Sequence, residues 1–252
     1  SLAQSPKLYK QIMVGVFERV FEIAPAFRAE LSATTRHVSE VTMLDVEMGF
    51  TDHDGILNFL QELIFSVLTQ LYKEHADELK SLQAPELVLK PEFPRYSMQQ
   101  IHELYQKETG TDVSKEIDLT PDEERWICEY SKKQNGCEAV FATGLPARKM
   151  KFYHMAGEDN TARSADLLFR GIEIATVPQR EHRYENLVAQ IKAAGLEPAS
   201  PGFTPYLTAF KHGLPPHAGF GFGIDRLVEK TIGLANVKEA ILFPRDINRL
   251  TP

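Results

Sequence analysis

Three glycines at alternate positions, Gly219, Gly221 and Gly223, run directly into Ile224, Asp225, Arg226, Leu227 and Val228. No other stretch of the 252 residues restricts the fold so tightly. Alternating glycines in a strand leave one face bare, so a flat ligand or another backbone can lie against it. Leu227, Val228, Thr231 and Ile232 follow at helical spacing, which predicts that the strand hands over to a helix at Arg226. An arginine at that point suits a nucleotide. The bare strand takes base or sugar, and the guanidinium takes phosphate or stacks on the ring. A tight strand–helix junction with a surface arginine would account for this stretch taken alone, because glycine patterns are weak signals.

A second arginine-bearing stretch lies far upstream. Around Pro25, Val20 to Ile23 and Ala26 to Glu30 read as strand segments. In extended backbone Arg28 and Glu30 share one face, and Phe27, Ala29 and Leu31 share the other. A polar loop carries Arg36 and His37. The next strand alternates again, with Met43, Asp45 and Glu47 on one face and Thr42, Leu44, Val46, Met48 and Phe50 on the other. Pairing these strands antiparallel collects Arg28, Glu30, Asp45 and Glu47 on one surface. A structural ladder of ion pairs is the plainer explanation for that surface on its own.

Taken together, Ala26 to Glu30, Thr35 to His37, Glu40 to Phe50 and Ala218 to Arg226 resemble motifs 2 and 3 of the class II aminoacyl-tRNA synthetases. The wording is most similar to the aspartyl family of the archaeal and eukaryotic type. Further matches are Gln4-Ser5-Pro6, Gly171-Ile172-Glu173, Gln179-Arg180, Leu242 to Asp246 and Arg249 to Pro252. The resemblance covers nearly the whole chain and is weakest from about Leu79 to Gly136. It implies an α+β fold, a six- or seven-stranded antiparallel sheet flanked by helices. It also implies that residues 1–252 are a catalytic domain with 79–136 as an insertion or cover. The family's motif 1 and N-terminal anticodon-binding OB-fold are not found in these residues.

The activity implied is ATP-dependent formation of aspartyl-adenylate and transfer to tRNA(Asp), with tRNA(Asn) left open as a second acceptor. The implied partners are ATP, L-aspartate and tRNA in a cytoplasmic homodimer, and the implied metal is Mg²⁺. By the same resemblance the catalytic residues are Arg28, Arg226 and Glu173. ATP would meet Arg28, Ala29, Glu30, Arg36, His37, Val38, Glu173, Gly223, Ile224, Asp225 and Arg226. Aspartate would meet Lys7, Lys10, Arg28, Asp45, Thr176 and Arg180, with Arg180 selecting the side-chain carboxylate. Magnesium would be held by Glu173 and Asp166 against ATP oxygens. Those two carboxylates are seven residues apart, so one flat strand from Ser164 to Ile174 would aim them at opposite faces. A bulge marked by Gly171 would correct this.

Two positions depart from the family. Lys7 stands where glutamine is common, while Lys10 matches. Thr176-Val177 replaces serine-glycine, and valine disfavours a positive φ. Either the turn there is reshaped or no positive φ is needed. These departures, and the absence of the anticodon domain from these residues, favour one rival, a paralogue that passes the adenylate to another acceptor, as in asparagine synthesis. A second rival, a non-catalytic regulator that binds nucleotide or tRNA, is disfavoured by the presence of Arg28, Glu173 and Arg226.

A net charge of −7 excludes gripping nucleic acid through the overall field, so any tRNA contact is local or lies in a segment outside these residues. Two cysteines, Cys128 and Cys137, make neither a disulfide framework nor a zinc site and fit a reducing compartment. No signal peptide and no apolar run of membrane-spanning length is visible. Leu57, Leu60, Ile64, Val67, Leu68 and Leu71 predict a long helix from Ile56 to His75 after a turn at Asp54-Gly55. Helices are also predicted after Pro6 with Ser5 as cap, over 97–107, over 121–132 with Thr120 as cap, and over 184–194. Short strands are predicted at 139–143 and 151–155, and a closing strand over 237–246 beside the glycine stretch.

Overall fold

The computed structural model describes residues 2–29 and 34–251. Among these residues seven strands form one sheet: β1 (Arg19–Phe27), β2 (Glu40–Gly49), β3 (Arg95–Ser97), β4 (Ala139–Thr143), β5 (Ser164–Phe169), β6 (Ile172–Pro178) and β7 (His217–Gly223). Their order is β1-β2-β7-β6-β5-β4-β3. Every neighbouring pair is antiparallel except β3 with β4. Among the described residues eight α-helices flank the sheet: α1 (Lys7–Phe17), α2 (His53–Glu74), α3 (Ala76–Ser81), α4 (Met98–Thr109), α5 (Pro121–Asn135), α6 (Tyr184–Ala193), α7 (Thr204–Lys211) and α8 (Ile224–Ile232). This is the α+β architecture that the resemblance implied.

Alternation along β2 and β7 sets the two faces. Val46, Met48, Phe220 and Phe222 turn to the core, where Ile56, Leu57, Leu60, Ile64 and Leu68 of α2 cover them. Val67, counted in that stripe, is exposed, because it sits on the flank of the buried arc. Asp45, Glu47 and the three glycines take the other face, which is left for the site. Pro25 lies inside β1, a sheet edge, where its missing N–H leaves no inner ladder bond unmade. Behind β4 and β5, α4 and α5 close a second core. Thr120 caps α5 in a reciprocal box with Glu123. Both cysteines are free and buried, and burial pushes the Cys128 thiol up to about 12.

Several expectations need correction. Residues 164–174 are not one strand but a hairpin, turned at Arg170 (φ 47°) and Gly171 (φ 82°). Two positive φ values make the tight turn that suits the strand twist. The register shift lies at Leu167/Leu168, not at Gly171. Asp54 and Gly55 belong to the first turn of α2, capped by Asp52. Pro6, not Ser5, is the α1 cap, with no side-chain bond. Phe50 leaves the β2 face at φ 55° and is exposed. Residues 151–155 carry one isolated bridge, His154 to Arg180, rather than a strand. Val237–Ala240 is a 3-10 turn followed by irregular chain, so β7 is flanked by β2 and β6 instead.

Candidate active site

One row of residues crosses the sheet. Asp45 on β2 faces Gly221 on β7, Gly221 faces Thr176 on β6, and Thr176 faces Asp166 on β5. Directly opposed residues share a face. A bare backbone position therefore sits between a carboxylate on one side and a hydroxyl with a second carboxylate on the other. The three glycines do different jobs. A Cβ on Gly219 would lie 2.2 Å from the Val46 carbonyl oxygen and 2.4 Å from Glu47 Oε2, so this glycine makes room for Glu47. Gly221 and Gly223 instead line a cavity of about 380 Å³.

At one end of the cavity Arg180 meets Glu47, and both are fully buried. Arg180 Nε donates to Glu47 Oε1 at 2.8 Å and Nη2 donates to Oε2 at 3.1 Å. Burial opposes the Glu47 charge, yet Arg180 and Lys10 outweigh it and hold the carboxyl at about 2. Arg180 Nη1 is buried without a partner among the described residues, and Arg180 lines the cavity. Lys10 is also buried. Its Nζ lies 2.9 Å from Asp45 and 3.3 Å from Glu47, and donates to the carbonyls of Val46 and Phe220. Asp45 lines the cavity; Lys10 stands behind it.

Lys7 does reach the wall. Its Nζ donates to the Tyr153 hydroxyl at 2.5 Å and lies 3.9 Å from that ring's centre. The Arg180 guanidinium lies 5.4 Å from the same centre. Burial, then Arg180 and Lys10, lower Lys7 to about 7. Burial, then Arg180, Lys7 and Lys151, pushes His154 down to about 2, which leaves it neutral.

The other end is rich in arginine. Arg28 follows β1 directly, its N–H donating to the Ser39 carbonyl, and its side chain lines the cavity. Arg36 Nη1 donates to Glu124 of α5 at 2.6 Å, and Nη2 to the Gly171 carbonyl at 3.0 Å. Arg226, in the first turn of α8, donates to the Glu173 carbonyl at 2.8 Å. Between them lie Asp166 and Glu173, with Thr176 Oγ1 donating to Glu173 Oε1 at 2.7 Å. Burial, then the Glu173 charge, raises Asp166 well above the usual carboxylate range. A carboxyl pushed toward neutrality by its neighbour marks a place where a cation is favoured. Among the described residues no three His, Cys, Asp or Glu side chains group for a metal, so a divalent ion here would complete its shell with ligand oxygens.

Most of the expected residues meet at this one cavity: Lys7, Arg28, Arg36, His37, Val38, Asp45, Asp166, Glu173, Thr176, Arg180, Gly223, Asp225 and Arg226 line it. Asp166 and Glu173 share it because they stand on neighbouring strands. Lys10, Ala29 and Ile224 are not on its wall: Lys10 is held by protein acceptors, and Ile224 packs on the core. Glu30 lies outside the described residues. Asp225 also has a structural task, since Oδ2 accepts the Thr42 N–H at 2.7 Å and ties α8 to β2. Val177 sits within β6 with its side chain in the core and no positive φ, so the missing glycine reshapes no turn. Tyr153, Asp118 and Glu124 were not singled out from sequence. Only the charged and aromatic run from Lys151 to His154 hinted at the first.

The family model for class II tRNA synthetases (D, K and N) matches residues 1–247. An aspartate–tRNA(Asp/Asn) ligase of Thermus thermophilus is 44% identical over all 252 residues, which span 59% of that protein. Among solved structures, an aspartyl-tRNA synthetase from Entamoeba histolytica matches at TM-score 0.92 and 33% identity, over 99% of this chain and 52% of that one. An asparaginyl-tRNA synthetase from Pyrococcus horikoshii, complexed with asparaginyl-adenylate, matches at TM-score 0.90 and 30% identity, over 99% and 57%.

Proposed function

The chain belongs to the class II tRNA synthetases of the D, K and N group, and from that membership we propose that its cavity activates L-aspartate with ATP and passes the aspartyl group to tRNA. The observation that carries the choice of substrate is Arg180. Two of its nitrogens are fixed by Glu47, Nη1 is buried with no hydrogen-bond partner among the described residues, and the residue lines the cavity. A buried, unsatisfied cationic donor of this kind suits a carboxylate and disfavours a neutral amide. The Thermus relative is named for tRNA(Asp/Asn), so both acceptors belong to the proposal.

The substrate's α-carboxylate is already ionised, so no general base is required. One of its oxygens attacks the α-phosphorus of ATP. The bond from that phosphorus to the bridging oxygen breaks, and pyrophosphate leaves. The protein's part is placement and neutralisation of charge. Arg28 holds the α-phosphate and the reacting carboxylate. Arg226 and Arg36, with His37, hold the pyrophosphate end, while Val38, Gly223 and Asp225 shape the nucleotide's seat. Asp45 takes the substrate's ammonium group, beside Thr176. Mg²⁺ held by Glu173 and Asp166 supplies further neutralisation of the polyphosphate when bound. A tRNA terminal hydroxyl then attacks the acyl carbon, and AMP departs with one oxygen from the original carboxylate.

Residues 1–252 on this reading are the catalytic domain, with 79–136 as its cover. A homodimer is part of the proposal, supported by the open edge of β1, where Phe21 is 74% and Ile23 60% exposed. No helix among the described residues is long and apolar enough to cross a membrane. A cytoplasmic site of action completes the proposal. The test is isotopic. Aspartate carrying ¹⁸O in its carboxylates, turned over with ATP and tRNA, should yield AMP with one ¹⁸O. Unlabelled AMP, or ADP as the product, would overturn the chemistry.

A further inference from the structure

At the arginine-rich end of the cavity, one cation comes from a turn, and its partner comes from the region where the resemblance is weakest. Arg36 lies on a turn between β1 and β2, so no strand or helix of its own fixes the guanidinium. We propose that Glu124, in the first turn of α5, is a positioning residue that holds Arg36 toward the pyrophosphate end of ATP. The inference rests on the nucleotide-binding reading of the same cavity.

The start of α5 is itself fixed. Thr120 and Glu123 cap it reciprocally, and the buried Glu123 also lies 2.5 Å from His102 Nδ1 of α4. Glu124 is therefore presented by a rigid element, which a turn residue such as Arg36 lacks. The helix also lies hard against the β5–β6 turn. A Cβ on Gly171 would come within 2.9 Å of Arg125 Cγ and 3.1 Å of its Cα. That close approach puts the Gly171 carbonyl and the Glu124 carboxylate on one guanidinium. Arg36 Nη2 donates to the first at 3.0 Å and Nη1 to the second at 2.6 Å. These bonds engage one N–H of each terminal nitrogen and leave the other N–H groups to an anion. Burial raises the Glu124 carboxyl, and Arg36 opposes the rise ahead of any other charge. Arg36 lines the cavity and Glu124 does not, so Glu124 acts through Arg36 rather than on the ligand. Arg226 is oriented from the same hairpin, since the Glu173 carbonyl accepts from its Nη1 at 2.8 Å while Nη2 donates to the Arg36 carbonyl at 3.4 Å. One hairpin and one helix thus set the spacing of two cations. A loose guanidinium would have to be ordered by the ligand, at a cost in affinity.

The experiment is calorimetric titration of ATP and of AMP, with Mg²⁺ and without amino acid, into the whole chain, Glu124→Ala, Glu124→Gln, Arg36→Ala and the double alanine variant. AMP lacks the phosphates assigned to Arg36, so it reports the rest of the seat. Glu124→Ala should weaken ATP by roughly tenfold, the order of ordering one long side chain, and AMP by less than about twofold. Glu124→Gln, which keeps an acceptor, should recover part of that loss. The double variant should bind ATP no more weakly than Arg36→Ala, because the two residues act through one contact. A residue that serves the fold alone would lower the melting temperature and weaken both nucleotides equally, and that result would overturn the proposal. So would additive losses in the double variant, or ATP binding in Glu124→Ala that is unchanged or tighter than the wild type's. Weak ATP binding in Arg36→Ala with none of the Glu124 effects would leave the nucleotide reading standing. No nucleotide bound by the wild type would sink that reading and the positioning role together.

Discussion

Arg180 and Glu47 lock each other in a fork of 2.8 and 3.1 Å, with neither side chain open to water. Arg180 lines the cavity, and Glu47 fills the space that Gly219 leaves. Glu47→Gln would leave a buried guanidinium facing a neutral amide. It should cost on the order of 3–5 kcal/mol of stability, read from urea unfolding.

The same pair sets an acid limit. Glu47 falls from an ordinary 4.5 to about 2 in the fold, so its contribution is whole above the unfolded value. It is lost as pH drops through the folded one. Linkage puts this at about 3 kcal/mol, declining between roughly pH 4.5 and 2. Unfolding free energies measured down that range should show the decline in the wild type and a shallower one in Glu47→Gln.

Gly219→Ala and Gly221→Ala should separate folding from binding. The first pushes a Cβ into the Val46 carbonyl and should cost about 3 kcal/mol or more. The second meets only the Met43 methyl at 3.3 Å and Asp45 at 3.5 Å. It should fold with a melting temperature near the wild type's and bind ATP at least roughly tenfold more weakly, since its methyl occupies the cavity floor.

Asp166→Asn should split the same way. Burial and Glu173 already press Asp166 toward its neutral form, so the amide should leave stability within about 0.5 kcal/mol or raise it. Magnesium-dependent pyrophosphate exchange should fall by at least about tenfold. A large loss of stability would mean that Asp166 serves the fold instead.

Much of the fold was legible because its signals are local. The alternation through Asp45 and Glu47 marks β2, and the stripe from Leu57 to Leu68 marks α2. The glycines at 219, 221 and 223 mark the bare strand. The resemblance paired Asp166 with Glu173, but the way they meet was not legible. Arg170-Gly171 advertises a hairpin turn weakly, so two strands read as one. Of the two lysines the resemblance favoured Lys10, whereas Lys7 is the one that lines the cavity. They stand three residues apart on one helix, and the carbonyls of Val46 and Phe220 with the carboxylates of Asp45 and Glu47, from two distant strands, draw Lys10 inward. The valine at 177 looked like a threat to a turn until β6 placed it in the core.

The central claim is that this cavity joins aspartate to ATP and that Arg180 chooses the amino acid. It is tested most directly by ATP–pyrophosphate exchange with aspartate, asparagine, glutamate and lysine in turn, using the wild type and Arg180→Ala. We expect exchange with aspartate alone, lost by at least about a hundredfold in the variant, as suits a buried charge-assisted pair. Exchange with asparagine or lysine that equals aspartate's, or aspartate exchange that survives in Arg180→Ala, would contradict it.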